Sequence, residues 1–565
     1  MTSPASNPES VVREDLGPIS LPSQNGSSPS LNGVAHQSPQ VTRHSLLDAL
    51  EAQIGDKEAV DLDQATHLLA RVSFQQLQAL LRNPEIWDRR EQSGFELETV
   101  ITDGALLPVF FQEHHQHFPE STYAHIGGEL VLSNLEASSY PHEIQGHFLR
   151  QMEEAMVACM HLKEDHVLRA AREHGGVVGK PKVLMDGMLG TYQLSDFSGL
   201  DVLGGGDRYH NLNDHVMARR NGKVHVHFEG QEVVDFDSFN MAHEGVPTSL
   251  QLHFSTAPEK IAEIYNAGLA LMGPVLAVAT NSPFVFGQKG WHESRIPFFE
   301  NGVTPDRFYF AKSWATEPED LFEDVLSFDT LFGYASPEEV QGAINGVKAD
   351  AHTTTPDLAP LVRHNGTVWK WLRPCYGIDE VHGPHLRIEF RALPAGKTEL
   401  DNVSTAALFY GVVAGIRRSI PDFTARLNIE DAETNFQHAA QDGLAAKFTW
   451  LDGRECTARE LLPELIELAR FGLAEMGVSK EDVDRYLGVI EERVNTGQTG
   501  SQWAFDSLEK LEREDPKASR AAHMQTITAC MWHNQDQSRR EGGFPVSRWP
   551  LADSALAEKV ITGTI

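Results

Sequence analysis

Four cysteines in 565 residues, Cys159, Cys375, Cys456 and Cys530, stand far apart, and no two form a CxxC pair. That excludes a zinc site built on such a pair and suits a reducing compartment. Basic charge is scarce as well: 47 Lys and Arg face 80 Asp and Glu, for a formal net charge of -33. A surface of that sign repels phosphate backbones and anionic lipid, so neither nucleic acid nor membrane is expected as a partner. No run reaches the roughly 18 to 20 uninterrupted apolar residues of a membrane span. The N-terminus lacks a basic-then-apolar leader. There is no GxxxxGK[ST] loop, and Gly204-Gly205-Gly206 is at most a weak phosphate cradle. The expectation is a cytoplasmic protein that handles small molecules.

What is present is ordinary in bulk and patterned in detail. Hydrophobic residues make up 41% of the chain, as in a globular protein. Residues 1–42, rich in Ser, Pro, Asn and Gly, read as a disordered tail. Residues 43–90 read as a helical lead-in, with Leu46, Leu47 and Leu50, then Leu68, Leu69, Val72, Leu77 and Leu80, at helical spacing. A catalytic body over 91–440 and a mostly helical region over 441–565 follow. Helices are predicted from about His142 to His174, from Pro258 to Thr280, and after Ser336-Pro337. Thr457-Ala458-Arg459-Glu460 is a capping box ahead of Leu461, Leu462 and Leu465.

Four stretches alternate with the period of two that marks a strand. In His385–Arg391, Leu386, Ile388 and Phe390 share one face and His385, Arg387, Glu389 and Arg391 the other. Phe95–Val100 places Glu96 beside Glu98, Leu132–Ser138 carries Glu136, and Leu250–Ser255 carries Gln251 and His253. Any one of these is equally an exposed edge strand. Together they predict an α+β protein whose antiparallel sheet carries a working face of carboxylates and arginines, with helices packed on the other face. Asn221-Gly222 ahead of Val224, Val226 and Phe228 reads as a hairpin turn. His225 and His227 would lie on that hairpin's polar face without an evident third metal ligand. His114, His115 and His117 read as a solvated loop, and Gly287–Arg295 as a loop of mobile polar groups.

Carboxylates with one imidazole suit Mg²⁺ or Mn²⁺ bridging to phosphates, and arginines grip phosphate and carboxylate groups bidentately. The ordered set Glu96-Leu97-Glu98, Leu135–Pro141, Thr248–His253, Ala279–Phe284, Trp291–Ile296, Trp371–Pro374 and His385–Arg391 resembles the glutamate-cysteine ligase family. The closer likeness is to its bacterial carboxylate-amine ligase-like branch, whose fold is related to glutamine synthetase. Gly497–Trp503 and Pro545–Trp549 look like the tail of that branch. The resemblance implies an enzyme using ATP with magnesium or manganese, in which Glu96, Glu98, Glu136, His253 and Glu389 surround the metals. It implies that Arg295, Arg373 and Arg391 face the carboxylate or transferred phosphoryl group, with Arg387 and Gln251 as candidate nucleotide contacts. The reaction would join a carboxylate, glutamate in the best-known members, to an amine through an acyl phosphate. Two other readings stay open: a hydrolase with paired carboxylates, such as a glycosidase, and a binding protein that keeps the fold without turnover.

Overall fold

The structure, a computed structural model, describes residues 61–302, 310–331, 333–334, 336–350, 353 and 355–565, with 47, 48, 50 and 51 ahead of them. The expected tail over 1–42 and most of the lead-in before residue 61 lie outside the described residues. One antiparallel sheet organises the rest. Its strands are β1 (Gln92–Thr102), β2 (Ala124–Gly128), β3 (Asn134–Ser139), β4 (His142–Glu143), β5 (Lys182–Leu184), β6 (Ser249–Thr256), β7 (Leu372–Asp379) and β8 (Gly383–Pro394). They lie in the order β7-β8-β6-β1-β3-β2, and the short β4 and β5 pair with the two ends of β1.

The alternation read in the sequence is the alternation of burial. Leu97, Leu252, Phe254, Leu386, Ile388 and Phe390 enter one core with the Pro258–Ala279 and Glu399–Ser419 helices. Phe390 stacks on Phe409 at 4.5 Å between ring centroids, and Phe254 meets Tyr410 edge-on at 5.6 Å. Among the described residues the Pro258–Ala279 helix alone is long and apolar enough to cross a membrane, but its apolar window is 94% buried inside the protein. Sheet and helices leave the opposite face of β1, β3, β6, β7 and β8 to polar side chains.

Two polar groups reach that face's strands from behind. Lys163, on the Phe148–His174 helix, is fully buried and donates to Leu97 O (2.9 Å), Leu135 O (3.1 Å) and Thr99 Oγ1 (3.1 Å). Burial pushes its ammonium down to about 8. Tyr410 Oη donates to His253 O (2.9 Å) and Gly94 O (3.2 Å). Each gives buried strand carbonyls a hydrogen-bond donor from the core side.

Several sequence expectations are corrected. The helix expected from His142 begins instead at Phe148, because His142 and Glu143 pair with Ser93 and Gln92 and the chain turns at Gly146 with φ +56°. The Asn221-Gly222 turn does not close a hairpin: it follows a helix at Asp207–Arg219 and feeds the strand Val224–Glu229, whose partner is Val233–Ser238. His114 is fully buried and His115 half-buried, bonded through Nε2 to Leu132 O (2.8 Å) and Asn134 O (2.9 Å) respectively. Burial drives both imidazoles down to about 4, so they are neutral supports for β3 and only His117 is exposed.

The chain beyond residue 441 is helical apart from the hairpin Lys447–Trp450 with Arg454–Thr457. The Ala458–Glu475 helix contributes Leu461, Leu462 and Leu465 to the sheet's own core. It crosses Glu399–Ser419 at glycines, where a Cβ on Gly472 would lie 2.1 Å from Gly411 O. Trp503, Met524 and Trp549 form a further core against Phe284 and Leu184.

Candidate active site

Register builds the site. Glu98 stands opposite Glu136 across β1 and β3, and Gly127 of β2 stands opposite Glu136 in turn, so Glu129, two residues on, joins the same face. One carboxylate oxygen from each of Glu98, Glu129 and Glu136 lies within 4.8 Å of the others. Three like charges this close are costly in a buried setting unless protons or a cation intervene. Burial and the Glu136 charge raise Glu98 to about 7, even though Ser249 N (2.7 Å) and Gln251 Nε2 (3.1 Å) donate to it. Burial, Glu136 and Glu98 hold Glu129 well above the ordinary carboxylate range. Ser138 Oγ donates to Glu136 Oε1 at 2.5 Å. A hard divalent cation suits an all-oxygen set of this kind, since it would offset the repulsion that the raised carboxyl groups report.

Beside the acids lies a knot of arginines around Glu389. Glu389 is 1% exposed and accepts from Arg373 Nε (3.0 Å) and Nη2 (2.7 Å), from Arg391 Nη1, and from the Cys375 thiol (3.2 Å). Burial alone would raise this carboxyl, but Arg373, Arg391 and His253 outweigh it and hold it well below the ordinary range. Burial and the neighbouring Glu389 push the Cys375 thiol up to about 11, so it stays a donor. A register shift in β8 between Phe390 and Leu393 accompanies the placing of Arg391 alongside Glu389. Gln251 links the two clusters: its Oε1 accepts from Arg391 (2.7 Å) while its Nε2 donates to Glu98.

His253 sits in the row Gly94, His253, Glu389, Arg373 that runs across β1, β6, β8 and β7. Its Nδ1 accepts from Arg387 Nε (3.1 Å), so the ring proton lies on Nε2, which faces Glu96 Oε1 at 3.2 Å. Burial would raise Glu96, but the His253 contact prevails and lowers it. Arg387 also donates to His385 Nε2 (3.2 Å), whose ring burial and Arg387 drive down to about 4.

These groups line two adjoining cavities. The first, about 280 Å³, is walled by Glu96, Glu98, Glu129 and Glu136, by Arg295, Arg373 and Arg391, and by Phe299, Trp369 and Trp371. The second, about 360 Å³, carries His253, His385 and Arg387, and shares Glu96 with the first. Arg295 opens the Arg295–Gly302 helix and is 4% exposed. Its Nη1 donates to Glu293 Oε1 (3.1 Å) and to Ala392 O of β8 (3.2 Å), while its buried Nε finds no acceptor in the protein. The Gly287–Arg295 segment is therefore not a loop of mobile groups. Glu293 N bonds Ala440 O (2.7 Å), Ser294 N bonds Ser282 O (3.0 Å), and both side chains are fully buried.

Of the ten site candidates from the sequence, nine line the two cavities, and Glu389 lies buried beneath Arg373 and Arg391; they do not form one cluster. Glu98 and Glu136 share the acid triad, Glu96 belongs with His253 and Arg387, and Glu389 belongs with the arginines. Sequence reading passed over Glu129, whose signal was an acid inside the apolar run Ile126 to Leu132. It also passed over Cys375, Lys163 and the tryptophans of the cavity wall.

The sequence matches the model of glutamate-cysteine ligase family 2 over residues 92–526. The chain belongs to that family. Membership makes it an ATP-dependent carbon–nitrogen ligase of the carboxylate-amine kind. No curated protein matches the sequence. Among solved structures it is similar to glutamate–cysteine ligase of Francisella tularensis in complex with AMP, at 12% identity and a TM-score of 0.49, over 85% of this chain and 99% of that one. It is also similar to a bifunctional glutathione synthetase from Pasteurella multocida, at 12% identity and a TM-score of 0.43, over 82% of this chain and 55% of that one. A third likeness is to the Pup ligase PafA in complex with Pup, at 10% identity and a TM-score of 0.41, over 85% of this chain and 80% of that one.

Proposed function

We propose that this ligase joins the γ-carboxylate of glutamate, or a close analogue, to the amine of an amino acid at the expense of ATP. The observation that carries the reading is the juxtaposition, in one cavity, of the Glu98–Glu129–Glu136 triad with Arg295, Arg373 and Arg391. Anions and the cations that neutralise them both find fixed partners there.

In this reading Glu98, Glu129 and Glu136 hold magnesium or manganese, with Glu96 and His253 completing the wall toward the second cavity. A divalent cation in that place would draw charge from the phosphate oxygens of ATP. Arg387 and His385, lining the second cavity, contact the nucleotide. Arg295 brings a spare buried donor to the substrate carboxylate, and Glu293 and Ala392 fix its angle. A carboxylate oxygen attacks the γ-phosphorus as the bond to ADP breaks, giving an acyl phosphate. The amine nitrogen then forms the amide bond and phosphate leaves. Arg373 and Arg391 stabilise the negative charge that spreads over the transferred group, and Glu389 keeps both guanidinium groups aimed. Phe299, Trp369 and Trp371 exclude water from the acyl phosphate. Glu389 then acts through the arginines and not as a metal ligand.

The test is ADP release across a panel of carboxylates and amines, beginning with glutamate and cysteine. Sustained ADP release should require both substrates, with at most one equivalent formed from the carboxylate alone, and Arg295→Lys should lower kcat/KM about 10²- to 10³-fold, as expected for a lost preorganised donor. ADP release that needs no carboxylate, or an Arg295→Lys enzyme of parental kcat/KM, refutes the assignment.

A further inference from the structure

The hairpin of Val224–Glu229 and Val233–Ser238 has a face that the ligase chemistry does not use. Its inner face, Val224, Val226 and Phe228, is buried in a core that includes Phe298. Its outer face carries His225, His227, Asp235 and Asp237, all exposed by more than a third. Register sets His227 opposite Asp235 and His225 opposite Asp237. The two imidazole rings lie parallel to within 8°, with centroids 6.1 Å apart.

We propose that His225, His227 and Asp235 form a site for a zinc-class divalent ion, with Asp237 as the carboxylate that orients His225. One nitrogen of each ring and one oxygen of Asp235 lie within 4.8 Å of one another. Asp235 Oδ2 is 3.4 Å from His227 Nδ1, and Asp235 Oδ1 is 3.8 Å from His225 Nε2. Tetrahedral ligands about 2.0–2.1 Å from zinc stand about 3.3 Å from each other, so small rotations of exposed side chains close the set. An independent feature points the same way. His225 Nδ1 donates to Asp237 Oδ1 at 2.9 Å, which leaves the Nε2 lone pair on the side of Asp235. Lys223 Nζ holds the other Asp237 oxygen at 2.7 Å. An imidazole whose second nitrogen is bonded to a carboxylate is the usual form of a metal-bound histidine.

Two imidazoles and one carboxylate select zinc, cobalt or nickel over magnesium, which suits the all-oxygen triad instead. Three protein ligands leave a fourth position to water. The ion would staple a two-stranded ribbon that otherwise depends on its inner face. That ribbon in turn holds the segment leading to Arg295, through Glu232 N to Lys289 O (2.7 Å) and Trp291 Nε1 to Glu229 O (2.7 Å).

The experiment is titration of the full chain with Zn²⁺ by calorimetry in millimolar Mg²⁺, repeated with Co²⁺ to read the visible bands of a four-coordinate site. One equivalent should bind to the parent. His227→Ala should abolish that event, and Asp237→Asn should weaken it about 10- to 100-fold, with the circular dichroism of both variants unchanged. A parent that takes up no Zn²⁺ in Mg²⁺ overturns the proposal. So does a His225→Ala/His227→Ala protein that binds with parental stoichiometry and affinity, since the ion then sits elsewhere and the hairpin carries only cross-strand charge pairs.

Discussion

Lowering the pH from 8 to 6 will drive the divalent cation off the acid triad, by an amount that follows from Glu98. Its carboxyl is held at about 7 by burial and by Glu136, so it is about nine-tenths protonated at pH 6 and about one-tenth at pH 8. A metal ligand must be ionised, and each cation bound therefore displaces that proton. For Glu98 alone the affinity falls about tenfold over those two pH units, or about 1.4 kcal/mol. Glu129, which burial, Glu136 and Glu98 also hold well above the ordinary carboxylate range, adds to the loss in the same direction. Calorimetry of Mn²⁺ binding in two buffers of different ionisation enthalpy reads both quantities, the affinity and the protons released. Glu98→Gln should flatten the Glu98 part of the pH dependence while lowering the affinity itself. The metal-free protein gives a second reading of opposite sense. Because the folded pKa of about 7 lies above the ordinary 4.5, the stabilisation is complete below pH 4.5 and is lost as pH rises through 7, about 3 kcal/mol in all. Mn²⁺ affinity that is the same at pH 6 and pH 8, with no proton release, would refute the assignment of the triad as the metal site.

Two substitutions test the framework around that site. Glu389→Gln leaves Arg373 and Arg391, whose side chains are 17% and 23% exposed, without their buried counter-charge, a change that should cost up to about 3 kcal/mol, the low end for a broken buried pair. Denaturant titration at pH 7 should show that loss together with loss of ADP formation, and a variant of parental stability would mean that solvent or substrate already screens the arginines. Gly472→Ala drives a methyl group toward Gly411 O at 2.1 Å and Gly415 N at 2.6 Å. Separating the two helices there should cost about 1–3 kcal/mol, read as a lowered denaturation midpoint with an unchanged KM for ATP.

Period-two patterning made the strands legible, and for a physical reason. A strand with one face in a core must alternate, so Leu386, Ile388 and Phe390 declare the inward face and leave His385, Arg387, Glu389 and Arg391 to the other. The same logic located Glu96, Glu98, Gln251 and His253. It could not place Glu129, which lies just past the end of β2, where strand register and not local pattern decides its neighbours. Histidines misled for a related reason: His114 and His115 look polar in sequence, yet each spends its Nε2 on a β3-side carbonyl, His114 fully buried and His115 half-buried. Local sequence says which residues share a face, but the order of strands in the sheet says which faces meet.

That distinction sharpens the role of Glu389. A carboxylate alternating with arginines on a strand reads equally as a metal ligand or as an ion-pair partner, because sequence gives its own strand and not the neighbours. Arg373 arrives from β7, directly opposite Glu389 in the register, and Arg391 comes round from the same strand. Both carboxylate oxygens are then engaged by guanidinium groups, and Cys375 adds a further donor. Coordination of a cation by this residue would require breaking charge-assisted bonds that are buried and strong. Glu98, Glu129 and Glu136 face the reverse situation, since their mutual repulsion falls when a cation enters. In the proposed reading the electrostatics divide one acidic face into a half that keeps its arginines and a half that would take the metal, with Gln251 between them. Under the proposed function, transfer of a phosphoryl group from one half to a carboxylate held by the other is the chemistry such a division would serve.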